Sequence, residues 1–296
     1  MAFIRPYRES DFEACANICI ATLPPSLASG LAKEEVARLS PYLWTHPYTH
    51  LSPGTCHVLD DGAGNAVGYC IGCPDVHAFV AGYGGYVSAV LAPRVQRPAQ
   101  LETREPFWIS SSSPSSSSPP PPPNTNTIPQ EQEGGLLDGG DDGKKKRKKM
   151  MMANPTAMAQ LAYRADWMIF DDDGEYEDKD GDDHGDGETA KGRSKKKMSK
   201  AELARRWRAT MHIDILPGWQ GQGWGRRLIE AFAASVRASG ADYGEGEHIG
   251  VAGDNRKVLG FYRQLGFRVV QDEGEGGDED GDGEDAITLV KDIERS

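Results

Sequence analysis

The sequence has no apolar run long enough to cross a membrane as a helix, and its N-terminus, MAFIRPYRES, has no apolar signal segment. Cysteine is scarce: five residues, Cys15, Cys19, Cys56, Cys70 and Cys73, an odd number without a regular framework. A disulfide-built secreted domain is thereby excluded, and free thiols in a reducing, intracellular compartment, cytoplasmic or nuclear, are expected. Cys70-Ile-Gly-Cys73 is a lone CxxC, and no second pair completes a zinc site, so no metal is expected. On a strand the two thiols would point to opposite faces and simply pack. Basic residues are outnumbered, with 33 Lys and Arg against 45 Asp and Glu and a net charge of −12. That balance argues against nucleic acid as the partner of the folded part. Apolar content is also low, with mean hydropathy −0.57 and 38% hydrophobic residues, but the deficit is local.

The deficit lies between residues 93 and 200 and again near the C-terminus. Ser110–Ser118 is nearly all serine, Pro119–Pro123 is polyproline, Gly139–Gly143 and Asp171–Asp186 are acidic, and Lys144–Lys149 and Lys195–Lys197 are basic. Such runs bury too little apolar area to offset the entropy of ordering. The basic runs read either as localisation or nucleic-acid patches or as a solvated polyampholyte whose charges partly cancel. One island interrupts them: Pro155–Phe170 carries Met158, Leu161, Ala162 and Ala165 at helical spacing, which predicts a docked helix with a strand-like end. The expected organisation is one domain in two halves, 1–92 and 201–296, around a largely disordered insertion at 93–200. Asp272–Asp285 is an acidic loop that either attracts a cationic substrate or is surface filler.

In the first half, Phe3–Tyr7 reads as a strand and Ser10-Asp11-Phe12-Glu13 as a capping box opening a helix. Leu31–Leu39 predicts a helix stopped near Pro41. The aromatic link Tyr42–His50 is either a substrate surface or a packed loop. Thr55–Leu59 and Ala66–Cys73 predict a hairpin over an Asp-Gly-rich turn.

The informative stretch is Met211–Ser239. Met211–Leu216 is β-favouring, with His212 and Asp214 alternating out of the apolar pattern, and Pro217-Gly218 ends the strand. Gln220-Gly221-Gln222-Gly223-Trp224-Gly225 then opens a helix whose Leu228, Ile229, Phe232 and Val236 form one stripe. A glycine turn feeding a helix N-terminus offers unpaired N–H groups and partial positive charge to a phosphate, with Arg226 and Arg227 beside it.

Gln220-x-x-Gly223-x-Gly225 resembles the acyl-CoA pyrophosphate loop of the GNAT acetyltransferase superfamily. Asn255-Arg256-Lys257-Val258-Leu259-Gly260-Phe261-Tyr262-Arg263-Gln264-Leu265-Gly266-Phe267 resembles that family's Asn…Phe-Tyr-x-x-x-Gly-Phe signature. The His-Ile-Asp-Ile-Leu-Pro strand and the aromatic first half are similar to the acetyltransferase-like domain of O-GlcNAcases and its free-standing microbial relatives. The resemblance implies an α/β GNAT fold, a mixed, mostly antiparallel sheet flanked by helices. It implies direct transfer of an acetyl group from acetyl-CoA to an acceptor, a small-molecule or peptide amine. It places the donor against the backbone of Ile213, Asp214 and Ile215, the loop Gln220, Gly221, Gln222, Gly223, Trp224, Gly225 and Arg226, and Asn255, Phe261 and Tyr262. Tyr262 matches the tyrosine that protonates the thiolate, and Asn255 would cap its helix.

Many family members carry a glutamate base near the start of this strand, where Arg208-Ala209-Thr210 offers none. Asp214 is the first candidate base, since a carboxylate in an apolar strand is costly unless it has a partner or a task. His212, on the same face, is the second. The competing reading pairs Asp214 with an arginine. The competing function is an inactive GNAT-like module that binds CoA or a protein partner.

Overall fold

The computed structural model describes residues 1–110, 151–171, 198–270 and 286–295. The serine run after Ser110, the polyproline and basic runs, nearly all of the acidic run from Asp171, and the acidic loop lie outside them. In chain order the elements are β1 (Phe3–Pro6), α1 (Phe12–Ala21), α2 (Pro25–Ala28), α3 (Lys33–Trp44), α4 (His46–Leu51), β2 (His57–Asp60), β3 (Ala66–Cys73) and α5 (Val76–Tyr86). A second group is β4 (Trp108–Ser110), β5 (Met151–Ala153), α6 (Pro155–Tyr163), α7 (Ala165–Ile169) and α8 (Lys200–Arg206). The last group is β6 (Ala209–Ile215), α9 (Trp224–Ala238), β7 (Gly246–Val251), α10 (Leu259–Gln264), β8 (Arg268–Val269) and β9 (Ile287–Asp292).

Seven of these strands form one sheet in the order β1-β2-β3-β6-β7-β9-β8, and β4 pairs with β5 separately. Every neighbouring pair is antiparallel except β6–β7. That pair is parallel because α9 carries the chain back along the sheet between them. Strand alternation then builds two cores. Val58, Tyr69, Ile71 and Cys73 face one core with α1 and α3–α7. Leu59, Cys70, Met211 and Ile249 face the other with α9 and α10. Cys70 and Cys73 thus sit in different cores, and all five thiols are free and buried.

The stripe on α9 is buried as its spacing predicts: Leu228, Ile229, Phe232 and Val236 are fully covered. Each such side chain contributes roughly 1.5–3 kcal/mol by leaving water. The expected helix at 31–39 instead runs from Lys33 through Pro41 to Trp44. Proline there costs about 3 kcal/mol, but Val36, Leu39 and Leu43 are all buried on one face and hold the helix together. Tyr42–His50, read as a link, is the end of α3 and most of α4, with His46 and Tyr48 buried. The cap at the start of α1 is not Ser10. Asp11 accepts from the Arg8 N–H at 2.8 Å and takes two further bonds from the buried Arg5 guanidinium. The stretch 155–170 is two helices, and its expected strand-like end is helical, with Trp167 and Ile169 buried. Gly266 closes α10 in the left-handed conformation (φ 88°), as a C′ glycine does. Asn255 caps nothing: it lies inside the 3₁₀ turn Gly253–Val258, and α10 begins only at Leu259.

Candidate active site

β6 and β7 pair over only two positions, Ala209 with Glu247 and Thr210 with His248, and then separate. The opening between them organises the site. On its other edge β6 stays paired with β3 from Thr210 to Ile215. The Leu216 N–H donates to the Val67 carbonyl at 3.0 Å. By antiparallel alternation Asp214 and His212 also turn their peptide groups toward β3, and Ile213 and Ile215 turn theirs into the opening. The Ile215 carbonyl there accepts the Gln220 side-chain amide at 2.7 Å, while the Gln222 amide donates to the Gly218 carbonyl at 3.0 Å.

The loop after β6 makes a 3₁₀ turn over Pro217–Trp219, then takes left-handed backbone at Gly221 (φ 72°) and Gly223 (φ 81°). An added Cβ at either glycine meets nothing within 4 Å, so these positions need glycine for conformation, and the space in front of them is open. Gly223 starts α9, and no side chain caps that helix end. Its first N–H groups have no acceptor within the helix. The Trp224 indole N–H is buried beside them without a partner, and Arg227 lies over the Trp224 ring at 4.9 Å. Arg226 is half-exposed, 3.9 Å from Glu230. At Gly225 the reason for glycine is contact: a Cβ would come within 2.9 Å of the Phe261 ring. A loop with free N–H groups, a buried unpartnered donor and open space suits a phosphate-bearing ligand.

His212 and Asp214 share the other face of β6. Asp214 is partly buried, and the Tyr69 hydroxyl donates to its Oδ2 at 2.5 Å. Burial pushes the Asp214 carboxyl up to about 6, against the Tyr69 hydrogen bond and the nearby Thr22 hydroxyl. No basic side chain among the described residues pairs with it, which overturns the expected alternative of an arginine partner. The His212 ring lies 5.1 Å from that of Tyr48, and burial lowers its pKa to about 4, so it is neutral at pH 7. Tyr262 comes from α10, packed between Phe261 and Phe267. Burial, and then the nearby Cys70, Asp214 and Glu247, hold its hydroxyl protonated. Asn255 is partly buried in the turn before α10.

Sequence reasoning missed Tyr69, Thr22 and Glu247. Tyr69 stands opposite Asp214 in the sheet register, which one sequence does not display. Glu247 is fully buried, 3.6 Å from Lys291, with neither carboxylate oxygen hydrogen-bonded. Burial raises its pKa to about 7. Among the described residues no group of three His, Cys, Asp or Glu side chains could hold a metal ion, and no helix is long and apolar enough to cross a membrane.

A mixed sheet parting at one parallel pair, with a glycine turn and an uncapped helix at the parting, defines the α/β architecture of acyl-group transferases of the GNAT type. Residues 192–269 match the model of the acetyltransferase (GNAT) domain. The crystal structure of SsHAT is similar over 99% of both chains, with a TM-score of 0.58 at 24% identity. Naa20 of Chaetomium thermophilum, solved with a bisubstrate analogue, is a looser likeness: TM-score 0.37, 14% identity, 98% of this chain and 86% of that one. A putative phosphinothricin N-acetyltransferase gives 0.40 at 12% identity over the full length of both chains. The domain match covers residues 192–269, and the fold of the chain around it is of the GNAT acetyltransferase type.

Proposed function

We propose that the chain moves an acetyl group from acetyl-CoA to the nitrogen of an amine, with both substrates bound together. The observation that carries this reading is Asp214: a partly buried carboxylate without a cationic partner, on the strand that borders the opening. An amine with a pKa near ~10 arrives as an ammonium ion. The carboxylate attracts that charge and takes one of its protons. The neutral nitrogen then bonds to the thioester carbonyl carbon, the C–S bond breaks, Tyr262 protonates the departing thiolate and regains its proton from solvent, and the nitrogen's second proton and the one held by Asp214 pass to solvent. Binding both substrates in one geometry supplies much of the rate. The donor is assigned to the loop Gln220–Arg226, to the backbone of Ile213 and Ile215 and to Asn255 and Phe261. The free loop N–H groups and the Trp224 indole support that assignment.

The test has two parts. Acetyl-CoA at about 100 times its Kd should add roughly 2.7 kcal/mol of stability, and Gly223→Glu, whose carboxylate repels phosphate, should abolish the gain. Thiol release with a panel of amines should then fall roughly 10²–10⁴-fold in Asp214→Asn, with donor stabilisation intact. A wild-type chain that millimolar acetyl-CoA does not stabilise would end this reading and leave the inactive module.

A further inference from the structure

Asp214 does not stand alone on its strand. Tyr69 of β3 is its direct partner in the sheet register, so the two side chains leave the same face of adjacent strands. Tyr69 is fully buried, and its ring belongs to the core beneath α1 and α4. Its hydroxyl reaches Oδ2 of Asp214 at 2.5 Å. Covalent attachment to a central strand and full burial fix that hydroxyl far better than a loop or surface side chain would.

The other groups near the carboxylate are few. Thr22 and Cys19 approach from α1 and His212 is on β6 itself, while Cys70 of β3 and Tyr262 of α10 belong to the core on the opposite face of the sheet. None of them is a cation: burial raises the thiols and Tyr262, and lowers His212. Thr22 already spends its hydroxyl proton on the Ile18 carbonyl at 2.8 Å. Tyr69 is therefore the one strong, immobile donor to the carboxylate among the described residues.

We infer that Tyr69 is a positioning residue: it anchors Asp214 through Oδ2 and leaves Oδ1 as the oxygen that accepts the proton from the acceptor. The inference rests on the reading of Asp214 as the base. Tyr69 acts in two ways. It holds the carboxylate in one rotamer beside the opening, and it stabilises the charged form that burial opposes. Without it, Asp214 would stay protonated over more of the neutral range and would be lost as a base there.

The test needs no acceptor. In the full-length chain carrying ¹³C-labelled aspartate carboxyl groups, NMR titration follows Asp214, with Asp214→Asn identifying its signal. The wild-type midpoint is expected near 6. In Tyr69→Phe, which keeps the buried ring, it should rise by roughly one to two pH units, the worth of a hydrogen bond to a charged group. Thr22→Val should move it less. An unchanged midpoint in Tyr69→Phe, or a larger shift in Thr22→Val, would overturn the role of Tyr69 while leaving Asp214 as the base. A wild-type midpoint in the ordinary carboxylate range would instead remove the buried carboxylate on which the base reading stands. Should Tyr69→Phe fail to fold, labelling the Tyr69 ring carbon Cζ in the wild type supplies the answer. Its shift must follow the Asp214 midpoint if the hydroxyl is bonded there, and indifference to that midpoint would refute the bond. In the acetyl-transfer assay the acidic limb of kcat/KM should move with the NMR midpoint, a displacement that loss of packing alone does not produce.

Discussion

At the scale of single residues, the site is built against stability. Asp214 protonates near 6 in the fold against an ordinary 3.8 because burial disfavours its charge. A folded pKa raised in this way stabilises the protein below the unfolded value, and that contribution is lost as pH rises through 6. Above pH 6 the ionised carboxylate costs folding free energy. Asp214→Asn cannot ionise and keeps an acceptor for Tyr69, so it should melt at a higher temperature than wild type at pH 7.5. The gain should shrink through pH 6–4 and vanish below about pH 4. Melting curves at pH 7.5 and 3.5 decide this, and equal differences at both would show a well-solvated carboxylate. Glu247, raised to about 7 by burial with Lys291 3.6 Å away, obeys the same sign, with its window shifted toward neutral pH.

At the scale of elements, much was legible and the remainder has identifiable causes. The strand, the glycine turn and α9 follow from local spacing, since Leu228, Ile229, Phe232 and Val236 need only the helical period to find the core. The alternation of His212 and Asp214 likewise showed which side chains share a face. Tyr69 did not show, because its meeting with Asp214 depends on the register between β3 and β6, strands far apart in the chain. Helix α3 passed through Pro41 because tertiary burial outweighed a local rule, and in place of a Ser10 cap Asp11 accepts from the Arg8 N–H and is held by Arg5 of β1. The loop invites a direct test. Gly223 sits at φ 81° with open space around its missing Cβ. Gly223→Ala should therefore cost about 1–2 kcal/mol through backbone strain alone, and Gly223→Asn less, since asparagine tolerates the left-handed region. Equal melting temperatures for all three would show that the loop relaxes to a negative φ.

At the scale of the whole molecule, the chain builds both sheet faces from segments on either side of the stretch 111–150. Residues Phe107 and Trp108 on one side and Ala153, Met158 and Leu161 on the other pack in the same core. The strand pairing sharpens this point: Ser110 and Met151 stand opposite each other in antiparallel register, as do Ile109 and Met152, and Trp108 and Ala153. The described segments thus end and resume at adjacent positions, Ser110 and Met151, the geometry that a tight hairpin turn closes unaided. Replacing 111–150 with Asn-Gly flanked by one polar residue on each side should keep β4 and β5 paired and leave Asp214, Tyr69 and the loop Gln220–Arg226 undisturbed. A roughly tenfold shorter closure favours folding by about 2 kcal/mol on chain-entropy grounds. The shortened chain is therefore expected to melt at or above the wild-type temperature and to be stabilised by acetyl-CoA to the same extent. Unchanged donor stabilisation with an altered cellular effect would assign the removed stretch a task apart from the acetyl-transfer site. A lower melting temperature would show that residues 111–150 contribute packing to the domain, and the division of the chain into two halves and an insertion would have to be redrawn.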